Sequence, residues 1–325
     1  MLPIDLVNAI STNFSIYIGL SILIAGLIGN CLNILVFLSL KTFRENSCAF
    51  YLTAMSFLNI GQLLTSLLPR IMNLWFAIDW SLLSIVYCKI RIYLFQLCAL
   101  SSFTCTSLAT IDQFLATCSH PRWHKFNNIK IAYRSFIFLI LIWMCHGIPL
   151  LVYQDHFLAL STGEITCAIT NNFYQNYVTY GFNLTLVSSL PLSVTTIFGL
   201  LAYRNVTQIA YRTVPLVRRE LDKQLTVMVL LQVFCNFFII VPYIIVTAIF
   251  VTVTYSKDSY RYAQLQLARS ITITDFYLYF TMPFYIYISI SERFRKQFLH
   301  VFFGIYSAHR RRRRRMTINP FSPSN

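Results

Sequence analysis

The chain has 325 residues, 57% of them hydrophobic and only 11% charged, with a mean hydropathy of +0.61. A soluble domain carries about 25% charged residues, so this composition excludes an ordinary globular domain and points to the polytopic membrane class. The formal charge of +15 needs no nucleic-acid partner, because most Lys and Arg fall in short segments between apolar runs.

Apolar runs able to cross a hydrocarbon core of ~30 Å lie at about residues 14–40, 49–74, 85–118, 129–153, 176–203, 224–253 and 263–290. They predict an all-α integral membrane protein, a seven-helix bundle over 14–290. Only Asp5 is charged ahead of the first run, which is too long for a signal-peptide core and has no small-residue cleavage site after it. It therefore reads as a permanent helix behind a short outside segment, 1–13. With the N-terminus outside, twenty of the 26 Lys and Arg lie on the inner side. This imbalance predicts N-terminus out, C-terminus in, with anionic inner-leaflet lipid as a partner.

Along the chain, the first run holds Gly29-Asn30. The second holds Asn59, and Arg70 follows Pro69 near its outer end. The third starts near Cys88, carries Arg91, Phe95 and Gln96, and ends at Asp112-Gln113-Phe114. The loop beyond it contains His120 and His124, whose i, i+4 spacing would need a helix through Pro121 and a third ligand to hold a metal. They read as loop histidines. The fourth run contains Trp143 and Pro149, and the outer loop that follows contains Cys167.

Seven of the nine cysteines sit within or at the inner edge of the runs and read as small buried apolar residues. Cys88 and Cys167 both fall on the oxidising outer side, which predicts a disulfide tying the loop over the third helix. Pro191, Pro242 and Pro283 sit mid-run in the fifth, sixth and seventh spans, and Asp222 shortly precedes the sixth. Asp275, two turns before Pro283, is an ionisable group at membrane depth and so a functional candidate. Arg70 and Asp275 could neutralise each other, meet a ligand, or snorkel to the interface.

After the seventh run, Phe294, Phe298, Val301 and Phe302 recur at helical spacing among Arg293, Arg295, Lys296 and His300. An amphipathic helix on the inner membrane surface is predicted over 291–304. A basic tail, 305–325, follows with Arg310–Arg315, read as a lipid-held run, a sorting signal or a partner contact.

These features together resemble the rhodopsin-like (class A) G-protein-coupled receptors over residues 14–304. Gly29-Asn30, Trp143, the three mid-helix prolines and "ERFRKQF" match that family's marks. The family's Asp-Arg-Tyr triplet would place its arginine 25 residues after Cys88, where the chain has Gln113, between Asp112 and Phe114. Further departures are Asn59 at the sodium-binding aspartate position, Ile240 at the sixth-helix tryptophan, and Met282-Pro283-Phe284-Tyr285-Ile286 in place of Asn-Pro-x-x-Tyr, with Tyr285 and Tyr287 flanking the expected tyrosine. In the family, an acid at the Asp222 position bonds the third-helix arginine. Here a Gln113–Asp222 hydrogen bond could stand in, or Asp222 could be a solvated acid at a helix start.

The resemblance implies a plasma-membrane receptor with an extracellular ligand and a cytoplasmic heterotrimeric G protein as partners. Phe95 stands where amine receptors carry their acid, and no lysine occurs in 263–290, which argue against a monoamine ligand and against retinal. The remaining cavity, near Arg70, Arg91, Phe95, Gln96 and Asp275, suits a peptide or a small uncharged or amphiphilic molecule, with a peptide preferred. No cofactor is expected. No G-x-S-x-G, H-E-x-x-H or paired intramembrane carboxylates argue for an enzyme. The rival readings are a seven-helix binding protein without G-protein coupling, motivated by Gln113, and, more weakly, a transporter, for which nine Gly and no internal repeat give little support.

Overall fold

The computed structural model describes residues 3–118, 121–158, 165–208, 216–253 and 260–302. Arg310–Arg315 and His120 lie outside them. Among the described residues, six helices are long and apolar enough to cross a membrane: Ile4–Ser39, Ser47–Phe76, Ile85–Thr117, Ile129–Tyr153, Asn172–Val206 and Lys223–Thr252, numbered first to sixth below. The architecture is that of a mainly helical, multi-pass membrane protein. The third helix is central, packing against the second, fourth, fifth and sixth.

The first helix begins at Ile4, well before the apolar run at residue 14. Pro3 precedes it and Asp5 lies in its first turn, where a carboxylate favours the helix dipole. Its 36 residues span about 54 Å at 1.5 Å per residue.

Two helices contain a wide π-helical stretch immediately before a proline. Leu63–Leu67 precedes Pro69, and Tyr177–Ser189 precedes Pro191. Proline has no N–H for the carbonyl one turn back, and a wider register re-partners that part of the ladder. In the fifth helix side chains follow the same spacing: Ser188 Oγ donates to the Asn183 carbonyl at 2.7 Å and Ser189 Oγ to that of Leu184 at 2.6 Å.

The run expected over 263–290 is broken into three consecutive helices, Tyr260–Phe276, Leu278–Thr281 and Pro283–Ile290. They pack against the first and sixth helices. Asn30 bridges the interruption, its Nδ2 donating to the Phe280 carbonyl at 2.8 Å and to that of Gly26 at 2.7 Å.

Between the fourth and fifth helices, Gln154–Leu158 and Ile165–Ile169 pair antiparallel, with His156 opposite Cys167. A Cys88–Cys167 disulfide fastens this hairpin to the head of the third helix. His156 Nε2 adds a bond to the Ser81 carbonyl at 2.8 Å. The disulfide marks one end of the bundle.

At the opposite end, residues 292–302 are helical. Phe294 is fully buried, packing on Phe37, Phe284 and Tyr287, and Phe298 lies against Phe284. Part of the predicted apolar face thus covers the bundle, leaving Phe302 exposed. Arg295 donates to the Ile288 and Ser289 carbonyls, and Gln297 to Ser39. The exposed Glu292 meets Lys296 at 2.6 Å, and that hydrogen bond holds its carboxyl below the usual glutamate range.

Candidate functional site

The candidate residues fall at three depths, beginning at the disulfide end. Arg70 is half-buried on the second helix beyond its π stretch. Its Nε is shielded from solvent and has no hydrogen-bond partner among the described residues; the same holds for Arg91 Nε, three residues past Cys88. Arg70 does not pair with Asp275, and Asp275 makes no ion pair among the described residues.

The Arg269 guanidinium lies 3.9 Å from the centroid of the Phe250 ring. Beneath them Tyr243 stacks on Phe276 with ring centroids 4.5 Å apart, and the Ser66 and Tyr277 hydroxyls meet at 2.5 Å.

Phe95 and Gln96 face another way. Phe95 meets the Phe182 ring of the fifth helix edge-on. Gln96 is buried against the fourth helix, where its Nε2 donates to His146 Nδ1. With Nδ1 accepting, the other ring nitrogen, Nε2, carries the proton and donates to the Tyr177 hydroxyl. Trp143, one turn along, donates from Nε1 to Thr104 at 2.9 Å. Gln96 therefore fastens the third, fourth and fifth helices together.

At mid-depth, Asn59 is fully buried and neutral. Its Nδ2 donates to Asn30 Oδ1 at 3.2 Å, and its Oδ1 accepts from Ser102 Oγ at 2.5 Å. One amide thereby ties the first, second and third helices. Farther from the disulfide, the Tyr279 and Thr106 hydroxyls meet at 2.7 Å, and Tyr287 donates to Gln232 Oε1 on the sixth helix.

At the far end, Asp112 is buried, and both its carboxylate oxygens accept from Ser47 Oγ, at 2.7 and 2.8 Å. Ser47 is the first residue of the second helix, so the acid fixes that helix start to the third helix. Gln113, 1% exposed, accepts at Oε1 from Thr226 of the sixth helix at 2.7 Å. Its Nε2 is buried with no hydrogen-bond partner among the described residues. Phe114 meets Phe198 of the fifth helix edge-on. The Asp222 side chain lies outside the described residues, one turn before Thr226.

Several of these partners were not singled out by sequence. Arg269 was visible as a basic residue inside an apolar run. Gln232 and His146 are likewise isolated polar residues in apolar surroundings. Ser47 and Thr226 carry no sequence signal, since hydroxyls occur throughout such helices. No protein-family model matches the chain, and no curated protein matches it.

Proposed function

We propose that the chain is a plasma-membrane receptor of the rhodopsin-like G-protein-coupled type, with its N-terminus outside and residues 260–290 as a seventh crossing. An extracellular ligand, a peptide by preference from the sequence, enters at the disulfide end. A heterotrimeric G protein engages the far end.

The observation that carries this reading is the Gln113–Thr226 bond. It joins the third helix to the sixth at the end opposite the disulfide, beside the buried Asp112–Ser47 pair. A ligand that favours a state without that bond would release the sixth helix and open a groove. A neutral hydrogen bond contributes about 0.5–1.5 kcal/mol, an amount that differential ligand contacts can reverse. The deciding measurement is ligand-dependent nucleotide exchange on reconstituted G proteins, wild type against Gln113→Arg. Exchange by the wild type supports coupling through the neutral pair. A bound ligand that drives exchange on no G-protein class would remove the signalling reading and leave the second one, a helical binding protein without coupling. That alternative is favoured by Gln113 itself, which lacks the cation the family uses. Ligand-driven flux into liposomes would point to transport instead.

A further inference from the structure

Between the fifth and sixth helices lies a groove of about 250 Å³, whose walls include Thr196, Gly199 and Tyr203 on one side and Val233, Phe234 and Phe237 on the other. Its lining carries no charged residue. Both helices are long and apolar enough to cross a membrane. Tyr203, Phe234 and Phe237 are exposed on them, so the groove opens onto hydrocarbon and is continuous with the lipid-facing surface.

Two details set it apart from an ordinary gap between helices. The first is Gly199. At Gly26, Gly61 and Gly147 a Cβ would come within 2.6 Å of a neighbour, so those glycines serve close packing. At Gly199 a Cβ would stand 3.5 Å from Leu230 Cδ2, 3.7 Å from Val233 Cγ1 and 3.8 Å from Thr110 Cγ2, all ordinary contacts. Packing does not require glycine there, and glycine weakens a helix. What the missing side chain preserves is the floor of the groove. The second detail is Thr196. Its neighbour Thr195 donates to the Pro191 carbonyl at 2.8 Å, the local bond that helical hydroxyls make. Thr196 Oγ1 is shielded from solvent and has no hydrogen-bond partner among the described residues. A hydroxyl enclosed without a partner costs free energy, and a ligand that bonds to it removes that cost.

We propose that this groove binds a compact, uncharged, largely apolar molecule with one hydrogen-bonding group, which enters sideways from the hydrocarbon. A charged ligand would lose its hydration here and gain no counter-charge from the lining. From Thr196 to Tyr203 the fifth helix rises about 10 Å, a third of the ~30 Å hydrocarbon core and too short for an extended membrane acyl chain. The volume exceeds the roughly 150 Å³ apolar cavity that takes up benzene, so a substituted or fused ring fits. The rings of Tyr203, Phe234 and Phe237 offer such a body edge or offset contacts. Threonine in a helix divides between two χ1 rotamers, and the change between them turns the Thr196 hydroxyl onto the polar group of the ligand.

The test uses the full chain in phosphatidylcholine nanodiscs and a photoreactive alcohol, trifluoromethyl-diazirinyl benzyl alcohol, with adducts located by mass spectrometry. Saturable labelling at Tyr203, Phe234 or Phe237, displaced by excess 2-naphthalenemethanol, is expected. Gly199→Leu, which fills the floor, should abolish it, and Gly199→Ala should retain it. Both variants should melt at or above the wild-type temperature without probe, which separates lost binding from misfolding. Phe234→Ala removes an exposed wall, leaves the floor intact and should weaken labelling several-fold. Thr196→Val should weaken the alcohol about two- to tenfold, the scale of one neutral hydrogen bond, and leave the hydroxyl-free trifluoromethyl phenyl diazirine unchanged.

Labelling that does not saturate, adducts as frequent on Phe138 and Ile148, exposed on the fourth helix, or unchanged affinity in both Gly199→Leu and Phe234→Ala would overturn the proposal. So would equal affinity of Thr196→Val and wild type for the alcohol. Displacement by methyl palmitate as effective as by 2-naphthalenemethanol would assign the groove to an acyl chain and overturn it too. The site needs only that both helices cross the membrane, so labelling decides it whether or not the chain drives nucleotide exchange on a G protein.

Discussion

At Gln113 the two halves of one amide have different fates: Oε1 accepts from Thr226, while Nε2 is enclosed without a hydrogen-bond partner among the described residues. The asymmetry of hydrogen-bond energetics makes this a measurable feature. Removing one member of a buried pair leaves the other unsatisfied, at about 1–3 kcal/mol, whereas replacing both by apolar groups can be close to neutral. Thr226→Val is therefore expected to lower stability by about 1–3 kcal/mol, and Gln113→Leu added to it should restore part of the loss rather than deepen it. Thermal unfolding of the three purified variants reads this directly. If the losses add, the two side chains are not energetically coupled. Within the receptor proposal, Thr226→Val should also raise nucleotide exchange in the absence of ligand.

The helices carry their own signatures of what the sequence can and cannot specify. Ala77, which ends the second helix, has φ 53°, a left-handed conformation that strains a residue with a Cβ. Ala77→Gly should stabilise the chain by about 1 kcal/mol, seen as a higher melting temperature with ligand and lipid held constant. The apolar runs were legible because a hydrocarbon-spanning helix imposes length and composition, and six of the seven predicted runs are such helices. The interruptions at Tyr277 and Met282 were not, because they depend on contacts from residues far away in sequence, such as the Asn30 donation to the Phe280 carbonyl. The π stretches were also unreadable: Pro69 and Pro191 announce a defect but not its register. For the site, Asp112 and Gln113 could be located by spacing from Cys88, yet their partners Ser47 and Thr226 come from other helices and depend on packing. Arg70 and Asp275 were each conspicuous as ionisable residues at depth. That the two do not pair with each other follows only from the packing of the helices.

For the molecule as a whole, the first helix is held to its neighbours by close approach. A Cβ placed on Gly26 would lie 2.5 Å from Thr281 Oγ1 and 2.6 Å from Leu63 Cδ1, and Thr281 donates to the Ile22 carbonyl at 3.2 Å. Gly26→Val should force the first helix away from the second and from Leu278–Thr281, lowering stability by about 1–3 kcal/mol; unchanged unfolding would show that the three segments have slack. The neutral tie at Gln113 has a consequence for how the two ends respond to their surroundings. An amide–hydroxyl bond has no charged groups for dissolved ions to screen, whereas the partly exposed Lys89–Asp155 pair at the disulfide end does. Raising sodium chloride from about 0.05 to 0.5 M should thus shrink any stability loss caused by Asp155→Asn while leaving the stability loss caused by Thr226→Val unchanged, both read by thermal unfolding. Ionic strength becomes a dial that turns one end of the protein and not the other.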